Sequence, residues 1–212
     1  DAHVNLGNAL RELGRVAESL TAFDRAILIE PNSAAAHYNR GLALMESGDV
    51  DSAESALRCA LEARPGFPEA LVLLAEIFEA RGQPDRAIEQ LDAAMRMRPD
   101  YAGAVYNKSL ILKSQGKFHQ SERALREALA SNPENMHLAH ALGDLLAGKG
   151  NLAEAVDLYR RVLTRSPRQQ GLRSDMLLCL NHLDSVDRET VFREHREYGR
   201  IASLMHGSQT RT

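Results

Sequence analysis

Apolar residues recur along the chain at helical spacing, in short blocks separated by glycine or proline. Leu6, Leu10 and Leu13 precede Gly14, and Val16, Leu20, Phe23, Ala26 and Ile27 precede Pro31. Each block predicts one amphipathic helix, and two consecutive blocks predict a helix pair. The punctuation then repeats. Pro31, Pro65, Pro99, Pro133 and Pro167 are spaced by 34 residues, and Gly14, Gly48, Gly82, Gly116 and Gly150 keep the same step. Each mark has a mechanical role. The glycine supplies a left-handed turn that ends a first helix, and the proline, which lacks an N–H, ends a second one. Small residues also keep register where paired helices must approach closely: Gly7, Gly41, Ala75, Ser109 and Gly143 on first helices, and Ala26, Ala60, Ala94 and Ala128 on second helices. Only Val162 departs, in the fifth copy.

Composition agrees with this picture. The chain has 212 residues, 44% of them hydrophobic but only 5% aromatic, with no Trp. A core must therefore be built from Ala and Leu, which suit close-packed helices better than twisted sheets. At about 150 residues per domain the length allows one large or two small domains. Lys and Arg number 26 against 29 Asp and Glu, a net charge of −3, which disfavours a nucleic-acid partner. No apolar run approaches the roughly 20 residues that span a bilayer, so no membrane contact is expected. Cys59 and Cys179 have no CxxC or CxxH neighbour and predict two buried, inert thiols in a reducing cytoplasm.

With this period and these marks the sequence resembles the tetratricopeptide repeat family. The units begin one residue before Asp1 and at Ala34, Pro68, Ala102 and Met136. The resemblance covers residues 1–169 and departs at His3 and His37, where the family has Trp, and at Arg40 and Lys108, where it has Leu. It implies an all-α, right-handed superhelical solenoid of five helix pairs. Because the first unit is short by one residue and carries no polar cap, the chain is expected to be an excerpt of a longer array.

After Gln169 the register is lost, and residues 170–212 are expected to add two trailing helices, one capping the array and one acting as a linker. Leu172, Met176, Leu180 and Leu183 give the first an apolar face; Ser185 is the expected N-cap of the second, with Val191, Phe192, His195, Gly199 and Ala202 on its packed side. A plain solvating helix pair is one reading. The order Leu172-Arg173-Ser174, Met176-Leu177-Leu178, Leu180-Asn181 and Val191-Phe192-Arg193-Glu194-His195-Arg196 also looks like the linker of bacterial, SPINDLY-like O-linked N-acetylglucosamine transferases, departing at His182. That resemblance implies the substrate-recruiting arm of a protein O-glycosyltransferase whose nucleotide-sugar site is not in this chain. A free-standing scaffold is the alternative.

No phosphate loop, HExxH, GxSxG or EF-hand motif is present, and neither catalysis nor a cofactor is expected of the chain itself. His137, His140 and Asp144 share a helix face with a spacing that suits a metal, but without a fourth ligand the solvated surface is the favoured reading. His195 is expected as a hydrogen-bonded core histidine. The repeat family binds peptides on the concave side formed by first helices. The sixth unit position there gives Asn5, Asn39 and Asn107, interrupted by Leu73 and Ala141. Asparagine amides both donate and accept, so such a ladder can pair with an extended peptide backbone. Tyr38, Tyr106, Glu76 and Lys113 complete the candidate peptide site. A clamp for a C-terminal carboxylate is disfavoured. Asn8 and Asn39 match its pattern, but Val4, Glu69 and Leu73 replace its cations.

Overall fold

The structure is a computed structural model that describes residues 2–183 and 186–207, without the side chains of residues 202 and 204–207. Among the described residues it holds twelve helices and no strand. First and second helices alternate as predicted: α1 (Ala2–Glu12), α2 (Val16–Ile29), α3 (Ala34–Ser47), α4 (Val50–Ala63), α5 (Pro68–Ala80), α6 (Pro84–Met97), α7 (Ala102–Ser114), α8 (Phe118–Ser131), α9 (Met136–Gly148) and α10 (Leu152–Arg165). The trailing pair follows as α11 (Gln170–Asn181) and α12 (Arg188–Gly207). Helices α3, α5, α7 and α9 start on the residues that open the repeat units.

The helix ends explain the period. Gly14, Gly48, Gly82, Gly116 and Gly150 all have positive φ, from 67° to 83°, and no other described residue does. At Gly48 this left-handed step lets the Asp49 N–H reach back to the Leu44 carbonyl at 3.0 Å, closing α3 and aiming the chain into α4. The same bond recurs from Arg15 to Leu10, Gln83 to Phe78, Lys117 to Leu112 and Asn151 to Leu146. Second helices end differently. Glu30, Arg64, Arg98, Asn132 and Ser166 each make a last helical bond and leave the helical region, as expected for a residue before proline.

The chain divides into two compact units within α7, the first ending at Ile111 and the second beginning at Leu112. In the first, α1 packs on α2, α3 on α4 and α5 on α6, while α2 meets α3 and α4 meets α5. Phe23, Leu57 and Leu91, at one register on α2, α4 and α6, are fully buried, the first two against Gly7 and Gly41. A Cβ on Gly41 would lie 2.9 Å from Cγ of Leu57, and one on Gly7 would overlap the ring of Phe23, so the small residues are dictated by their neighbours' size. Each such side chain contributes roughly 1.5–3 kcal/mol by burial. In the second unit α9 packs on α8 and α10, α11 on α10, and α12 on α11. There Gly143 makes room for the fully buried ring of Tyr159.

Several expectations need correction. Leu6 and Leu13 are exposed, the latter by 71%. Leu6 holds the register at which Leu74 is buried, but among the described residues α1 packs on α2 and α3, and neither covers it. Cys59 is exposed on α4; only Cys179 is buried. Ser185 and Asp184 lie outside the described residues, and Asp187 caps α12 by accepting from the Thr190 N–H at 2.8 Å. The packed side of α12 is also rotated from the expected one. Phe192 is 63% exposed, and His195 is exposed while bonding Asn181 at 3.3 Å. Val191, Glu194, Tyr198 and Ile201 carry the more buried face instead. Arg40 and Lys108, which stand where the family has Leu, each meet an aspartate of the preceding second helix: Arg40 pairs with Asp24 at 2.7 Å and Lys108 with Asp92 at 2.5 Å.

Candidate functional site

The first unit places most of the candidate peptide site on first helices. Asn5 is exposed on α1. Asn39 is half-buried on α3, where its Nδ2 donates to the Ala35 carbonyl at 2.9 Å. Asn107 is half-buried on α7, and its Nδ2 donates to the Glu76 carboxylate of α5 at 3.1 Å. One N–H of each of the last two amides is therefore engaged, leaving the oxygen and the second N–H. Tyr38 and Tyr106 are half-buried. Lys113 is exposed on α7 and belongs to the second unit.

The structure adds residues that the pattern did not single out. The Tyr38 ring lies 4.7 Å from that of Phe67, and the Arg64 guanidinium stands 3.5 Å over the Phe67 ring. Arg98 stands 4.8 Å over Tyr101 and bonds Glu69 at 2.7 Å. Phe67 and Tyr101 both occupy the last position of a repeat unit, in the turn before a first helix. That shared register is the sequence signal that would have found them. Burial, and then the neighbouring Tyr101, push the Tyr38 phenol above its ordinary range, and burial followed by Glu69 does the same to Tyr101. Burial opposes ionisation of Glu69, but its own backbone amide and the Arg98 and Arg64 guanidiniums outweigh it and hold the carboxyl below the usual range. Glu76 is raised, chiefly by burial, with the Asn107 bond working against it. On α1, Oδ1 of Asn8 and Nε of Arg11 are buried without a partner, although Arg11 reaches Glu46 through its Nη1 at 2.5 Å.

In the second unit the face expected to carry His137, His140 and Asp144 is completed instead by Asp175 of α11. His140, Asp144 and Asp175 place one ligand-type atom each within 4.8 Å of the others. His140 and Asp175 are already hydrogen-bonded at 2.8 Å, and Asp144 accepts instead from the Tyr159 hydroxyl at 3.5 Å. Burial and then Asp144 and Asp175 push the Tyr159 phenol far up.

Serial helix pairs with a polar and aromatic first-helix face define a repeat module for protein–protein interaction. The sequence profile described as "Tetratricopeptide repeat" matches residues 4–68, 38–102, 72–114 and 106–169. The chain belongs to the tetratricopeptide repeat family. No curated protein sequence matches it. Among solved structures it is similar to a thermophilic TPR protein of Thermus thermophilus, at 25% identity and TM-score 0.65 over 84% of this chain and 97% of that one. It is also similar to PilF of Pseudomonas aeruginosa, at 16% identity and TM-score 0.73 over 100% and 92%. A third is YrrB, described as a TPR protein with an unusual peptide-binding site, at 18% identity and TM-score 0.58 over 80% and 88%. Among the described residues no helix is long and apolar enough to cross a membrane.

Proposed function

We propose that the first-helix face of the first unit binds an extended segment of a partner protein, reading its backbone through Asn5, Asn39 and Asn107 and its side chains through Tyr38, Tyr106 and Glu76, and that Lys113 offers a partner a cation on the second unit. The observation that carries this reading is the amide series itself: Asn5 is exposed, and Asn39 and Asn107 each spend one N–H on a neighbour and keep an oxygen and a second N–H for a ligand. An extended peptide's N–H and C=O match both kinds of group. Lys113 holds on α7 the register that Arg11 holds on α1. The peptide-binding site of YrrB supports the same reading, and the net charge of −3 supports a protein rather than a nucleic-acid partner.

The test uses peptides recovered from a displayed random library on the whole chain. Replacing Asn5, Asn39 and Asn107 together by Ala is expected to weaken them about ten- to a few hundredfold, at a net ~0.5–1.5 kcal/mol per hydrogen bond and allowing for imperfect geometry, while circular dichroism stays unchanged. Unchanged affinity would sink the proposal.

The finer reading is the substrate-recruiting arm of a protein O-glycosyltransferase, supported by the run from Leu172 to Arg196. The free-standing scaffold is supported by solved relatives that match this chain over nearly their whole length. A nucleotide-sugar-binding region encoded beyond Thr212 is expected for the arm; a gene without one leaves the scaffold. The unpaired thiols of Cys59 and Cys179 support a reducing, cytoplasmic setting.

A further inference from the structure

The one break in the small-residue series, Val162, lines a groove of about 630 Å³ in the second unit, between the second helices α8 and α10. Its floor is Leu129, Leu142, Leu158 and Val162, all nearly buried. Leu158 is also a local enlargement, since Ala22, Ala56, Gln90 and Ala124 hold its register in the other copies. Leu158 and Val162 stand one turn apart and give the groove a branched apolar floor where most other copies have Ala. The rim is basic, with Arg126, Arg161 and Arg165. Arg126 is held by Glu122 at 2.8 Å and Glu154 at 2.6 Å, and Arg165 lies 3.7 Å from Glu134. Arg161 reaches only its own helix's Asp157 carbonyl at 3.4 Å, and among the described residues no carboxylate lies within ion-pair distance of it. The surrounding sequence adds to this. Residues 158–168 contain four Arg and no Asp or Glu, in a chain whose net charge is −3. Charge at the end of α10 complements its helix dipole, but that accounts for the last turn and not for the run beyond it.

We propose that this groove is a second interaction site, separate from the first-helix face, which takes an acidic segment of a partner protein with an apolar side chain as its anchor. The volume lies within the ~300–1,000 Å³ of sites that enclose organic groups, and the recessed apolar floor needs an apolar occupant. Unpaired guanidinium at the rim then selects carboxylates beside that anchor, because Arg binds them through paired N–H donors. A bare phosphate chain would leave the floor unfilled, which is why the occupant is a peptide.

The experiment is selection of a displayed random-peptide library on the whole 212-residue chain, followed by fluorescence anisotropy of the enriched peptides. A class joining Asp or Glu to an aliphatic or aromatic residue is expected. Its affinity should fall about tenfold or more in Arg161→Glu and be lost in Ala130→Trp, which fills the groove from an exposed position. The Asn5, Asn39 and Asn107 triple variant should leave it unchanged, which separates this site from the first-helix face. Thr164→Trp serves as a second blocking variant should Ala130→Trp lower the helix content. Enriched peptides that lack acids, or that ignore both Arg161→Glu and the blocking variants, overturn the proposal. So does the absence of an acidic class when vesicles of anionic phospholipid or duplex DNA bind through Arg161.

Discussion

The Glu76 carboxylate accepts from Asn107 at 3.1 Å, and among the described residues no cation pairs with it. Burial raises its pKa, so the folded chain holds the proton more tightly than the unfolded chain does. For a carboxyl the sign is then fixed. The stability it contributes is complete below the ordinary carboxylate range and is lost as the pH rises through its raised value. Glu76→Gln keeps an oxygen for Asn107 and removes the charge. At neutral pH it is expected to raise the thermal midpoint by about 1–2 °C, a small shift because the side chain reaches solvent. The gain should vanish at a pH where both forms are neutral. An equal gain at both pH values would show that packing, and not charge, is responsible. In the proposed peptide site the unpaired carboxylate would favour a basic residue in the partner, since a cation there restores the charged form.

Helix α12 is held differently from the repeats. It packs on α11, and the buried Arg173 of α11, 7% exposed, pairs with Glu194 at 3.6 Å, bonds the Pro167 carbonyl at 3.5 Å and leaves its Nε unsatisfied. Removing one member of such a pair strands the other away from water. Arg173→Met preserves the apolar stem and is expected to cost α12 about 1–3 kcal/mol locally. Amides of residues 188–201 should then exchange about ten- to a hundredfold faster, while those of α3 to α6 are unchanged. Uniform exchange rates would mean that the pair does not hold this helix. The same contact shows where the sequence could be read and where it could not. In the repeats, glycine, proline and helical spacing fix each boundary because the backbone itself requires them. In α12 the adjacent Val191 and Phe192 suggested a packed side, yet the helix is rotated so that Glu194 can meet Arg173, and an ion pair leaves no trace in a hydrophobic pattern. The candidate site divides likewise. The asparagine register was legible from the period; Phe67 and Tyr101 keep the same period but stand in turns, beyond the helical spacing that marks a face, and the orphaned atoms of Asn8 and Arg11 are products of packing.

Across the whole chain the ion pairs follow a longer rhythm than the helices. Asp24 with Arg40 is repeated two units later by Asp92 with Lys108. In the intervening units, Arg58 and Arg81 both meet Glu54, and two units on Arg126 and Lys149 both meet Glu122. Leu74 and Leu142 are buried at the register of Arg40 and Lys108, so junctions alternate between a charged and an apolar solution. Tyr38 with Asn39 and Tyr106 with Asn107 keep this double step as well. In a repeat array each unit is stabilised by its neighbours, and alternating junction chemistry disfavours packing a unit out of order, because a slip by one repeat sets a cation against an apolar register. The Asp92 and Lys108 pair tests whether charge carries that information. Lys108→Asp sets two carboxylates together and is expected to lower the thermal midpoint by about 2–4 °C, an effect of up to ~1 kcal/mol. Adding Asp92→Lys restores an opposite-charge pair and should recover most of that loss, and the coupling should shrink in high salt as screening grows. Should the two changes simply add, at low salt as at high, the junction would be held by the side-chain stems alone, and the alternation would carry no information about order.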